Sequence, residues 1–415
     1  MRKDIDLKKC IAFIITFTFL IGLCSCKKDT VFEPSIVEVT EEQSIVSFNL
    51  YPKNDKFTFI DKFERAAYRQ LTDKQKGIYI LLDNAAFEMK NGYIKLGHVK
   101  ESDIGVAFAA VRQDRPEYFW LPNSYTMRSI GDEKQISFTH NGQGWLCDNI
   151  QRNKQESQIR KMLAVYLGSV NKDATEYERE LSAHDYLSKT AKYNKISLDD
   201  YNNNTASWNI TGVFCNKKAV CEGYSRAMQV MSFMLGLDCS LVTGVTDEPH
   251  MWNVIKIDGE WYHLDLTAND SDQGPYHFFF NVTQKYLEES RTIDPKISDD
   301  FSRKLTDSRY NIFLPDCTSE KYNYHIYNSL FAAEKSQVES MVVSTICEAV
   351  KDEKRMIELS VSGNTGFDPA IHNAEKYFDL GRCISIANAE LPKNKRLRSY
   401  SYGSVTGAKG FIISW

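Results

Sequence analysis

The feature that most constrains the fold is a pair of apolar segments, residues 250–257 and 260–267, that flank Asp258-Gly259. Asp-Gly between two such segments predicts a β-hairpin with a two-residue turn, because both central residues of that turn need a positive φ. The turn also fixes the register of the two strands. In that register one face of the hairpin carries an apolar set suited to a core: Met251, Ile255, Ile257, Tyr262, Leu264 and Leu266.

The other face of the hairpin carries His250 and Asp265. With Trp252 opposite Asp265, the two residues are diagonal neighbours, about 7–8 Å apart at the backbone and within side-chain reach. A carboxylate in that position fixes the tautomer of an imidazole and stabilises its charged form, so the imidazole can take a proton from a thiol. His263 shares this face and is a competing candidate for the base, whereas Asn253 points to the apolar face and is interpreted as structural.

A cysteine precedes the hairpin at the start of a predicted helix. Val220-Cys221-Glu222-Gly223 leads into a segment with helical periodicity that ends at Gly236. At a helix start, unpaired backbone N–H groups and the helix dipole favour the thiolate form of a cysteine. The position therefore suits a nucleophile, although a small buried apolar residue is the alternative for Cys221 taken alone. Glu222 is interpreted as a carboxylate favoured by the dipole in the first turn.

The motifs in this order resemble the transglutaminase-like superfamily. They are a glycine-containing cysteine helix, then His250-Met251-Trp252-Asn253, then Asp258-Gly259 with Trp261-Tyr262 and Asp265. The resemblance covers residues 175–283 and implies an α+β, papain-like core, in which the cysteine helix packs against an antiparallel sheet. It also implies a catalytic triad with Cys221 as nucleophile, His250 as base and Asp265 as orienting carboxylate.

Two further segments bear on the resemblance. Arg115-Pro116-Glu117-Tyr118-Phe119-Trp120 is similar to a segment found ahead of such domains in bacterial members. Many of those members have a tyrosine upstream of the nucleophile where this chain has Thr211. Trp208 lies nearby and is the candidate for the aromatic residue that helps stabilise an oxyanion, with core packing as its alternative role.

The implied activity is a cysteine enzyme that acts on amide bonds of proteins or peptides through a thioester acyl-enzyme. Water as acceptor gives proteolysis or deamidation, and a lysine amine gives amide transfer. No cofactor is expected, and no Cys-x-x-Cys or His-Glu-x-x-His spacing indicates a metal site. The alternative is a catalytically inactive surface lipoprotein that uses the fold to bind protein or glycan.

The N-terminus predicts export and a lipid anchor. Residues 1–9 contain Arg2, Lys3, Lys8 and Lys9, and residues 11–23 carry no charge, which is the pattern of a signal peptide. This apolar run is shorter than the roughly 20 residues that a membrane-spanning helix needs. Leu23-Cys24-Ser25-Cys26 resembles a lipobox, with Cys26 as the lipidated residue. We expect a protein attached to the bacterial cell envelope, periplasmic or on the cell surface.

Charge and cysteine content exclude other classes. A formal net charge of -4, with no basic stripe interleaved with aromatic residues, argues against a nucleic-acid partner. Beyond Cys26, seven of the ten cysteines remain, which is too few over this length for a disulfide framework, and at least one must be unpaired.

The chain is long enough for several domains. We expect a signal peptide at 1–25, a polar tether at 26–44, a small α/β domain at 45–150, the transglutaminase-like domain at 151–315 and a small α/β domain at 316–415. The periodicity also predicts local elements. These are helices at 63–89, 102–111, 155–167, 175–190 and 370–378, and strands at 44–60, 118–121, 135–139 and 356–361.

Overall fold

The computed structural model describes residues 66–139, 144–196, 204–271, 274–297, 310–368 and 377–415. The described chain divides into two compact units, one within Met1–Val254 with Ile293–Pro315, and the other comprising Ile255–Thr292 and Asp316–Trp415. The predicted signal peptide, Cys26, the tether and the strand at 44–60 lie outside the described residues, and the predicted domain boundaries stay predictions. No helix in the described ranges is long and apolar enough to cross a membrane.

The first unit begins with a small α/β region. Its elements are α1 (Ala66–Arg69), α2 (Asp73–Phe87), β1 (Ile94–Gly97), α3 (Glu101–Asp114), β2 (Thr126–Ile130) and β3 (Glu133–Ser137). β3 lies between β1 and β2 and pairs antiparallel with both. The helical pattern at 63–89 is divided in the structure, because Thr72 and Gln75 form a capping box that starts α2.

The predicted strand at 118–121 is wrong. The aromatic run forms consecutive turns, in which the Tyr118 N–H donates to the Arg115 carbonyl and the Leu121 N–H to the Tyr118 carbonyl. Trp120 is fully buried, and its indole N–H donates to the Ala86 carbonyl at 2.8 Å. Tertiary packing of the rings thus overrides the strand preference of aromatic residues. The strand that pairs with β3 across the turn at Gly131 is β2 instead.

The rest of the first unit carries the cysteine helix. Its elements are α4 (Asn149–Ser169), α5 (Glu176–Thr190), β4 (Lys192–Tyr193), β5 (Lys218–Ala219), α6 (Cys221–Met234), β6 (Cys239–Val245) and β7 (Pro249–Ile257). A 3₁₀ turn, Thr205–Trp208, and a π-helical turn, Gly212–Asn216, lie between β4 and β5. α6 packs against α5 and β6. The helices at 155–167 and 175–190 are confirmed as α4 and α5.

The predicted hairpin turn and its two flanking strands are confirmed, but the second strand ends at Leu264 and does not continue to residue 267. The reason is that the Asp265 side chain accepts the Ala268 N–H and starts a short helix there. β7 runs into the second unit, where it pairs with β8 (Glu260–Leu264). Asp258 and Gly259 both have positive φ, at 48° and 89°, as a two-residue hairpin turn requires. α7 (Leu266–Asn269), α8 (Gln284–Glu288) and β9 (Thr292–Ile293) follow. In the first unit, β6 lies between β7 and β9.

The second unit closes with a four-stranded sheet covered by helices. The elements are α9 (Tyr324–Tyr327), β10 (Phe331–Ala332), α10 (Lys335–Lys351), β11 (Met356–Val361), α11 (Leu380–Glu390), β12 (Ser401–Gly403) and β13 (Gly410–Ser414). The strand order is β10-β11-β13-β12, with β10 parallel to β11 and the other pairs antiparallel. The core of this region is formed by α10, α11 and the sheet. The strand at 356–361 is confirmed as β11, and most of the predicted helix at 370–378 lies outside the described residues. The α+β class is thus confirmed.

Candidate functional site

Cys221 is the first residue of α6. Val220 precedes it in an extended conformation, with φ -93° and ψ -179°, and its side chain forms no capping hydrogen bond. The Cys221 side chain is buried, with 8% of the residue exposed. The thiol therefore lies where the first-turn N–H groups of the helix have no intrahelical partner, as the sequence predicts.

A loop lies directly against the start of α6, and glycine makes this possible. A Cβ on Gly223 would lie 2.5 Å from the Ser207 carbonyl oxygen and 2.9 Å from the Ala219 Cβ. The Ser207 carbonyl accepts the Val220 N–H at 3.0 Å. Trp208 follows in the same loop and is 7% exposed. The structure places Trp208 beside the start of the cysteine helix, and its role as an oxyanion donor stays a prediction.

One hydroxyl links the first turn of α6 to the strand that carries the histidine. Ser225 Oγ lies 2.9 Å from the Cys221 carbonyl oxygen and 3.0 Å from the Met251 carbonyl oxygen. Asn253, fully buried, donates its Nδ2 to the Ser225 carbonyl at 3.0 Å. Cys221 and the residue after His250 are thus held by the same serine, and the structural interpretation of Asn253 agrees with its contact.

His250 lies near the start of β7 and is half-buried. Its ring stacks on that of Trp252, with centroids 5.8 Å apart and an interplanar angle of 28°. Trp252 is itself fully buried, so one face of the imidazole packs against a ring that is held in place. A side chain that is packed on one side and reaches solvent on the other suits proton exchange with a substrate.

Asp265 follows β8 in the second unit and is fully buried. Its Oδ2 accepts two hydrogen bonds from Arg291, from Nη2 at 2.7 Å and from Nε at 3.2 Å. Its Oδ1 accepts the Ala268 N–H at 3.1 Å, which caps α7. Arg291 lies with its guanidinium 3.8 Å from the centre of the Phe279 ring. Sequence reasoning missed Arg291, because no local pattern links it to a carboxylate 26 residues earlier.

His263 is not suited to act as the base. It is fully buried, and burial together with the nearby Arg291 lowers its pKa from 6.5 to about 3. A histidine with that pKa is neutral at physiological pH, and it is a weak base because its protonated form is disfavoured. The resemblance already favours His250 over His263, and the role of His250 as base stays a prediction.

Glu222 does more than respond to the helix dipole. Its Oε1 accepts Nη2 of Arg112 at 3.1 Å and Nε of Arg226 at 2.9 Å, and Arg226 also donates to the Arg112 carbonyl at 2.7 Å. Arg115 pairs with Asp83 through two bonds of 2.9 and 2.7 Å. Arg112, Arg115, Glu222 and Arg226 border a small open cleft, which is also lined by Tyr118, Phe119 and Trp208.

The seven described cysteines are all free thiols. Burial raises the pKa of Cys147 and Cys383 to about 11 and that of Cys317 to about 12. Burial also raises the pKa of Cys215, Cys239 and Cys347. These six thiols are therefore protonated near neutral pH. Within each unit, the described residues bring together no group of three His, Cys, Asp or Glu side chains arranged to hold a metal.

Comparison with known proteins places the site in a family context. Residues 163–266 match the family model of the Transglutaminase-like superfamily. A search of curated proteins gives no match. Part of the chain is similar to three solved structures: a TGase (15% identity, TM-score 0.26), a candidate cysteine protease from Cytophaga hutchinsonii (14%, 0.23) and a candidate protease from Parabacteroides distasonis (8%, 0.22).

Each of these likenesses is partial. The alignments cover 36%, 33% and 34% of this chain and 45%, 40% and 35% of the respective structures. The chain thus spans less than half the length of each of these three structures, and at these TM-scores their activities do not bear on it. The family match contains both Cys221 and His250 and ends one residue after Asp265. Residues 163–266 of this chain form a transglutaminase-like domain.

Proposed function

We propose that the chain is a cysteine enzyme that acts on amide bonds of proteins or peptides through a thioester on Cys221. The observation that carries the proposal is the Ser225 hydroxyl, which lies within hydrogen-bond distance of the carbonyls of Cys221 and Met251. It ties a thiol at a helix start to the strand position that follows His250. A nucleophile at a helix N-terminus with a histidine base is the arrangement that thiol catalysis needs.

In the proposed reaction, His250 takes the proton of the Cys221 thiol, and the sulfur attacks the amide carbonyl carbon. The tetrahedral oxyanion is stabilised by backbone N–H groups at the start of α6 and by Trp208. His250 then returns the proton to the departing nitrogen, the C–N bond breaks and a thioester remains. Asp265 orients His250 and supports its charged form.

The acceptor decides the product. Water attacks the thioester with His250 as base and gives a carboxylic acid and free thiol, which is proteolysis or deamidation. A lysine amine in place of water gives a new amide. We favour hydrolysis because water is the most abundant acceptor.

The test is the reactivity of each thiol towards iodoacetamide at pH 7, followed by mass spectrometry of the individual cysteines. The six other described thiols serve as internal references because their raised pKa values keep them protonated. We expect Cys221 to be alkylated fastest, and we expect His250→Ala to slow it by roughly tenfold or more.

His98→Ala, at an exposed histidine of the first unit, is the control and should leave the rate unchanged. If Cys221 reacts no faster than Cys215 or Cys147, and His250→Ala changes nothing, the chain is not a cysteine enzyme. The binding lipoprotein is then the better account.

We also propose that the enzyme acts outside the cytoplasm, on a lipid anchor at Cys26. The support is the charged start, the apolar run and the small residue before Cys26. Expression in a bacterial host followed by detergent phase partitioning checks this proposal. Wild type should enter the detergent phase, and Cys26→Ala should not. Cys24→Ala is the matched control, and a detergent-phase Cys26→Ala protein contradicts the anchor.

A further inference from the structure

We propose that Arg291 is a positioning residue for the carboxylate of Asp265, and that residues of the C-terminal sheet region hold Arg291 in place. The inference rests on the proposed function, because it gives Asp265 its role in the triad. It goes beyond that proposal because it gives residues 316–415 a role, which is to hold the residue that positions Asp265. Neither motifs nor composition give these residues a role.

The contact between Arg291 and Asp265 has the features of a fixed support. The side chains are 4% and 0% exposed, so both charges are removed from water and each depends on the other. Both donor nitrogens of Arg291 converge on Oδ2 of Asp265, while Oδ1 takes the Ala268 N–H. The plane of the carboxyl group is therefore set from two sides. A carboxylate so held can present only one orientation to a histidine.

Arg291 cannot easily move away from this position. Its guanidinium rests on the ring of Phe279, and its Nη1 donates to the Ser290 hydroxyl at 2.8 Å. The Phe279 carbonyl also accepts the backbone N–H of Asp265 at 2.9 Å. The segment from Phe279 to Arg291 thus contacts Asp265 through both its backbone and its side chain.

Glu358 on β11 anchors one end of this segment. Its Oε2 accepts the His277 backbone N–H at 2.9 Å, and its Oε1 lies 2.5 Å from His277 Nδ1. Burial alone would raise the pKa of Glu358, but His277 and His325 outweigh burial and the pKa is lowered. Glu358 is therefore a buried, charged carboxylate that holds a residue two positions before Phe279.

The loop before β13 anchors the other end. The Lys409 N–H donates to the Tyr286 hydroxyl at 3.2 Å, and Lys409 Nζ pairs with Glu289. A Cβ on Gly407 would lie 2.7 Å from the Cβ of Ser290, the residue before Arg291. Gly407 also has φ +76°, so glycine is required there both for conformation and for space. The C-terminal region thus contacts His277, just before the segment from Phe279 to Arg291, and also residues near the end of that segment.

The experiment measures iodoacetamide alkylation of Cys221 from pH 5 to 9 in full-length protein. The variants are Arg291→Met, Arg291→Lys and Glu358→Gln, each alone and combined with Asp265→Asn. Arg382→Met is the matched control, because Arg382 lies in the same unit in an exposed pair with Glu339. We expect Arg291→Met to slow alkylation at neutral pH by roughly tenfold or more and to shift its pH profile. Arg291→Lys should restore part of the rate, and Arg382→Met should match wild type.

The double variants separate a positioning role from a structural one. If Arg291 and Glu358 act through Asp265, their substitution has no further effect once Asp265→Asn is present. The proposal is overturned if the effects of the single substitutions on the alkylation rate multiply in the double variants. It is also overturned if the Arg291→Met protein folds and its pH profile is unchanged. Should Arg291→Met fail to fold, Arg291→Lys and Glu358→Gln decide the matter by the same criterion. A wild-type Cys221 without enhanced, His250-dependent reactivity defeats the proposed function instead, and is seen before any Arg291 variant is made.

Discussion

Ser225 has a single hydroxyl proton, but its oxygen lies within hydrogen-bond distance of two carbonyls. We expect Ser225→Ala to lower the free energy of unfolding by about 1 kcal/mol, which is typical of one hydrogen bond. We also expect slower alkylation of Cys221, because α6 is then less firmly fixed to β7. Urea unfolding and alkylation rates measure the two effects. Ser232→Ala, near the other end of α6, should affect stability alone; equal loss of reactivity in both variants contradicts the assignment.

His263 makes stability depend on pH. Its pKa is 6.5 in a free chain and about 3 in the folded protein, so the unfolded chain binds more protons between these values. The free energy of unfolding therefore falls as the pH is lowered from 6.5 towards 3, by about 1.4 kcal/mol per pH unit for one group. We expect His263→Gln to remove this part of the slope.

Urea unfolding at pH 7, 6 and 5 measures the difference between the two slopes. His98→Gln, at an exposed histidine, should keep the wild-type slope. An unchanged slope in His263→Gln would mean that another group controls acid sensitivity.

At the scale of elements, the 205–208 turn packs closely on α6 at Gly223. We therefore expect alanine to destabilise the protein at Gly223 but to stabilise it at a glycine with open space around it. Gly223→Ala brings a Cβ within 2.5 Å of a backbone carbonyl, and we expect it to destabilise the fold by roughly 1–3 kcal/mol. Gly77→Ala is the matched control inside α2, where nothing lies within 4 Å. There alanine should stabilise the protein by about 0.5–1 kcal/mol. Thermal unfolding of both variants checks the prediction, and a neutral Gly223→Ala contradicts the packing.

Elements with strong local signals were predictable from sequence. Asp258-Gly259 determined the hairpin turn, and the residues after Val220 determined the start of α6, because φ preferences and helix periodicity act over a few residues. The strand at 118–121 was mispredicted because its aromatic side chains are buried in a turn by distant partners such as Ala86. Arg291 and Glu358 carry no local signal, since their partners are 26 and 81 residues away.

At the scale of the whole molecule, the second unit joins Ile255–Thr292 to Asp316–Trp415. We expect truncation after Pro315 to unfold residues 255–292, because His277 loses Glu358 and Phe278 loses the close packing of Gly410. Limited proteolysis of the truncated chain should cut within 255–292, a region that should resist cleavage in the full-length protein. Truncated protein that protects this region would show that the C-terminal residues fold independently of it.

The raised pKa values of the six other thiols also affect how the protein withstands oxidation. Thiol–disulfide exchange proceeds through the thiolate, and a thiol with pKa about 11, such as Cys147, is ionised only to about one part in ten thousand at pH 7. In the oxidising compartment that we propose, such thiols form mixed or scrambled disulfides slowly. The reactive Cys221 that we propose can then coexist with several free thiols without forming disulfides within the protein.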